Sequence, residues 1–83
     1  MTREEAQNIP ELHIEVTDFI EDVFYMKLAI NKTISLEVGE MASEWVKKKG
    51  FTKEELLDAL NTADRMIANI KKYGVACYEW IRE

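Results

Sequence analysis

The stretch Met26-Lys27-Leu28-Ala29-Ile30-Asn31-Lys32-Thr33-Ile34-Ser35-Leu36-Glu37-Val38 decides the fold. Read at period two, Met26, Leu28 and Ile30 alternate with Ile34, Leu36 and Val38 around Asn31-Lys32, as the arms of a β-hairpin do. The β-branched Thr33, Ile34 and Val38 suit that reading. Read at three and four, the same residues belong to two longer apolar stripes that run past them in both directions. Upstream, Leu12, Val16, Phe19, Val23, Met26 and Ile30 recur at helical spacing, with Glu11, Glu15, Asp18 and Asp22 on the other side. Downstream the stripe is Ile34, Val38, Met41 and Trp45. Continuity favours two helices broken at Asn31-Lys32-Thr33.

The remaining boundaries follow from end signals. Thr2 and Glu5 have capping-box spacing, so residues 2–8 predict one frayed turn. Asn8 as cap with Pro10 in the first turn predicts a helix of about 20 residues ending at Ile30. The second helix closes on Lys47-Lys48-Lys49, which suits its dipole, and stops at Gly50. Thr52-Lys53-Glu54-Glu55 is a capping box that opens a third stripe, Leu56, Leu60, Ala63, Ile67 and Ile70, closed by Lys71, Lys72 and Gly74. Residues Val75 to Glu83 predict a short fourth helix. The expected fold is all-α, one domain over residues 1–83, with three main helices plus the C-terminal one.

Composition bounds the function. The 83 residues are 47% hydrophobic and 33% charged, the balance of a globular chain. No apolar run approaches a membrane span, and the N-terminus lacks the basic-then-apolar pattern of a secretory signal. The single cysteine, Cys77, fits a reducing cytoplasm and forms no internal disulfide. A net charge of -5 argues against nucleic-acid binding, including a helix-turn-helix over residues 52–73. No Gly-rich loop exists to cradle a phosphate. Two Trp, three Tyr, three Phe and four Met are a heavy apolar load for so short a chain, which points to burial against a second copy, as a homodimer or tetramer.

Acid pairs mark the second and third helices. Glu37 and Glu40 form the only Glu-x-x-Glu of the chain, and Glu55 and Asp58 form Glu-x-x-Asp. Residues three apart sit side by side on a helix. With a tight turn at Gly50-Phe51, the two helices are expected to pack antiparallel and aim the four carboxylates at one point. Hard oxygen donors of that kind select Mg²⁺ or Mn²⁺. Lys47, Lys48, Lys49 and Lys53 in the connecting turn could then meet a triphosphate, and the Trp45 ring could stack on a base. The alternative for the acids is a solvated face paired with lysines, and for Trp45 a core or interface position.

The segments Leu36-Glu37-Val38-Gly39-Glu40-Met41-Ala42 and Glu54-Glu55-Leu56-Leu57-Asp58-Ala59-Leu60 resemble the core of the MazG-like all-α nucleoside triphosphate pyrophosphohydrolases. The resemblance covers residues 33–73. It implies Glu37, Glu40, Glu55 and Asp58 as catalytic Mg²⁺ ligands (Mn²⁺ as a substitute), a metal-bound water attacking a nucleoside triphosphate, release of a monophosphate and pyrophosphate, and a four-helix arrangement completed by dimerisation. The family often carries a further Glu where Leu36 stands, and Asn61, Thr62, Asp64 and Arg65 interrupt a run it keeps apolar. Those departures motivate the alternative, a non-catalytic helical interaction or regulatory module on the same fold. His13 reads as an exposed spacer, Cys77 as a small apolar residue, and Phe19, Phe24 and Met26 as core.

Overall fold

A computed structural model describes residues 2–74, and among these there is no strand. The elements are α1 (Arg3–Gln7), a 3₁₀ turn (Pro10–Leu12), α2 (Asp18–Ile30), α3 (Leu36–Lys49) and α4 (Lys53–Tyr73). The fold is therefore all-α. The predicted helix over Val75–Glu83 lies outside the described residues.

The turn at Asn31-Lys32-Thr33 is a helix end and not a hairpin. Lys32 adopts a left-handed conformation with φ 60°. Its N–H donates to the Ala29 carbonyl at 3.0 Å, and the Thr33 N–H donates to the Leu28 carbonyl at 2.9 Å. That is the paired closure of a Schellman end, which satisfies carbonyls the last turn would leave open. Ser35 then caps α3, its Oγ accepting from the Val38 N–H at 3.3 Å. The capping box at Thr52 is present in both directions and opens α4.

One long helix from Asn8 to Ile30 does not form. Asn8 instead caps the C-terminus of α1, and its Nδ2 donates to the Glu4 carbonyl at 3.2 Å. Residues 13–17 are irregular, and α2 begins only after Thr17, whose hydroxyl accepts from the Ile20 N–H at 3.2 Å. Ile14 and Val16 pack on the core from this segment while His13, Glu15 and Thr17 stay exposed. That in-and-out alternation has a period of two, which a helix cannot keep. The segment is tethered to α4 through Glu11: its carbonyl accepts from Asn69 Nδ2 at 2.8 Å, and its carboxylate accepts from Tyr73 at 3.1 Å and Lys72 at 3.3 Å. These Tyr73 and Glu11 interactions raise the Lys72 pKa above its usual 10.5. Leu12 beside them is fully buried, with Ala6, Ile9, Ile70 and Tyr73 around it.

The second correction concerns helix pairing. α2 packs against both α3 and α4, but no Cα–Cα approach within 8 Å joins α3 to α4. The cause lies in α2, whose sequence Asp18-Phe19-Ile20-Glu21-Asp22-Val23-Phe24-Tyr25-Met26-Lys27-Leu28-Ala29-Ile30 is apolar on most of its circumference. Such a helix needs cover on several sides. α3 gives it Gly39, Ala42 and Val46, and α4 gives it Ala59, Ala63 and Met66. The connection accommodates this split. Gly50 takes φ 66°, and the Phe51 ring lies 5.5 Å from that of Phe19 at the start of α2.

α2 and α3 meet at Ala29 and Gly39, where a Cβ added to Gly39 would stand 2.3 Å from the Ala29 Cβ. At the other end of the pair, Lys49 Nζ bonds Asp22 at 2.5 Å, and the Asp22 side chain is only 9% exposed. Gly39→Ala is expected to destabilise the fold by about 1–2 kcal/mol in urea unfolding, the steric cost exceeding the helix-propensity gain. Adding Ala29→Gly should recover part of that loss. Lys49→Met leaves a largely buried carboxylate without its cation and should cost about 1 kcal/mol, discounted for the half-exposed lysine. Asp22→Asn combined with it should cost less than Lys49→Met alone.

Candidate functional site

The acids named from sequence lie on two separate surfaces. At about 100° per residue, Glu37, Glu40 and Glu44 form one strip of α3, turned away from the Gly39-Ala42-Val46 face that packs on α2. All three are exposed. Glu40 borders a shallow apolar pocket of about 210 Å³ made by Met26, Ala29, Ile30, Leu36, Gly39 and Ser43. Asp58 borders a different cleft of about 340 Å³, lined by His13, Ile14, Glu15, Thr17, Ile20, Thr62 and Arg65. The two share no residue. Glu55 is engaged locally, since its Oε1 accepts from the Thr52 N–H at 3.4 Å to complete the cap of α4.

The carboxylates are the hard oxygen donors that Mg²⁺ takes, and their chemistry fits that ion. Their placement within one chain does not. Among the described residues, no three His, Cys, Asp or Glu are grouped so as to hold a metal ion. The packing that would gather them, α3 directly against α4, is the one that α2 prevents.

Lys47 and Lys48 end α3 as exposed side chains, while Lys49 is held by Asp22. Lys27 pairs with Asp64 across α2 and α4. Trp45 is 48% exposed, and Val38 and Met41 beside it are 43% and 49% exposed. These three form a second apolar strip on α3, next to the one that packs on α2. The spacing groups Ile34, Val38, Met41 and Trp45 in one apolar stripe, of which Ile34 packs on the core. Within α3 the buried positions are Gly39, Ala42 and Val46, small residues that let two backbones approach.

The Asp58 cleft is the polar feature that sequence reasoning missed. His13 lies on its rim, and Glu15, Asp58 and Arg65 line it without an ion pair among the described residues. Its residues come from the 13–17 segment, α2 and α4, so only the tertiary fold assembles it. Cys77 lies outside the described residues. No helix of the described residues is long and apolar enough to cross a membrane. Comparison with protein-family models, with curated proteins and with solved structures finds no match for this chain.

Proposed function

We propose that this chain is a non-catalytic helical interaction module whose working surface is the outward apolar strip of α3, and whose partner presents an apolar helical face. One observation carries the reading: Val38, Met41 and Trp45 are each about half exposed on one side of a single helix. Trp and Met are enriched at protein interfaces, and Trp is among the residues most enriched at binding hot spots. A strip of this kind on an otherwise acidic chain loses free energy to water until something covers it. The test is Trp45→Glu, whose site is half exposed already. Helical circular dichroism and melting should stay near wild type, while the concentration-dependent mass seen by sedimentation should collapse to that of one chain. A self-associating wild type whose association is unchanged by Trp45→Glu would overturn the reading.

The wording of Leu36–Ala42 and Glu54–Leu60 favours a second reading, a Mg²⁺-dependent nucleoside triphosphate pyrophosphohydrolase using Glu37, Glu40, Glu55 and Asp58. It requires the acid strips of α3 and α4 to share one ion, with Lys47, Lys48 and Trp45 at the substrate. Calorimetric titration with Mg²⁺ and with Mn²⁺, comparing wild type with Glu37→Gln/Asp58→Asn, separates the two. The interaction module predicts equal, small heats and a melting point unmoved by millimolar Mg²⁺. Pyrophosphate release from any nucleoside triphosphate, abolished by Glu40→Gln, would replace it with the enzyme.

A further inference from the structure

The charges beside the apolar strip of α3 identify what covers it. Glu37, Glu40 and Glu44 occupy the first two-thirds of the helix, and Lys47, Lys48 and Lys49 its last turn. A helix that is acidic toward its start and basic at its end repels a parallel copy of itself and attracts an antiparallel one. Trp45 and Met41 lie one turn apart about the middle of α3, so the apolar contact is also self-complementary. We propose that the α3 strip is closed by a second copy of this chain, α3 lying antiparallel on α3 about a two-fold axis that passes between Met41 and Trp45. This rests on the reading of α3 as the binding face.

The register follows from helix geometry. Trp45 packs on the partner's Met41, and the two-fold repeats the contact. At about 100° per residue, Glu37 and Lys48 fall within about 20° of one another, on the same flank of the strip. An antiparallel two-fold sets like flanks together, so Glu37 meets the partner's Lys48 twice. Glu44 lies on that flank nearest the axis and approaches its own symmetry mate, so it opposes the pairing.

The experiment is charge exchange in the full chain, read by sedimentation from micromolar to millimolar protein. Glu37→Lys and Lys48→Glu should each weaken the dimer about tenfold, since each replaces two attractions by two repulsions. The double variant Glu37→Lys/Lys48→Glu should return to within about threefold of wild type, and Glu44→Gln should tighten the dimer. Circular dichroism confirms that each variant is folded. A double variant as weak as the two single effects combined would overturn the antiparallel register. If Trp45→Glu still dissociates the dimer in that case, α3 stands as the binding face with a different geometry. A wild-type chain that stays monomeric throughout the range overturns the second copy as occupant, and a dimer indifferent to Trp45→Glu overturns both claims.

Discussion

The approach of α3 to α2 at Gly39 and Ala29 is the contact on which the rest of the arrangement depends. A missing Cβ on one side and a single methyl on the other bring the two helices together. Close approach lets Ala42 and Val46 reach the α2 core, where Val23 and Phe24 are almost completely buried. Asp22 and Lys49 then close the far end of the pair. The small residues that make this possible are the ones that a search for large apolar stripes passes over. They choose which side of α3 turns inward, and by doing so they leave Val38, Met41 and Trp45 facing outward.

α2 imposes a second constraint. It is apolar on most of its circumference, so it must be covered from several directions at once. α3, α4 and the segment carrying Ile14 and Val16 each take a part. A chain of this length has few elements to spare, and α4 is used on α2 instead of on α3. The antiparallel α3–α4 pair that a short connection invites is given up for that reason, and with it the convergence of acids that the pair would have produced. Acid spacing fixes which residues share a helix face. It carries no information about which neighbour that face meets.

Local signals were legible in the sequence where they rest on hydrogen bonds between residues close in the chain. The Thr52–Glu55 capping box, the stop at Gly50, the break at Asn31-Lys32-Thr33 and the end at Gly74 all stand where sequence reasoning puts them. The helix from Asn8 to Ile30 failed because two explanations fit the same residues. Leu12, Val16 and Phe19 keep helical spacing, yet Ile14 and Val16 alternate with His13, Glu15 and Thr17 at the spacing of extended chain. Pro10 and the Thr17 cap, together with the tether of Glu11 to Asn69, Lys72 and Tyr73, select the second. That tether joins residues about 60 positions apart, so no local reading reaches it. The cleft around Asp58 was hidden for the same reason, since its lining comes from three parts of the chain.

The apolar load noted from composition and the exposed strip of α3 are one fact seen at two levels. Turning Trp45 onto α2 would expose Ala42 and Val46 and separate Lys49 from Asp22. Among the described residues no element covers both faces of α3, because α4 is committed to α2. Each apolar side chain left half in water loses a share of the roughly 1.5–3 kcal/mol that full burial contributes. A helix with two apolar faces and one neighbour among the described residues is what motivates the proposed second copy, and the graded charge along α3 is what sets the orientation proposed for it.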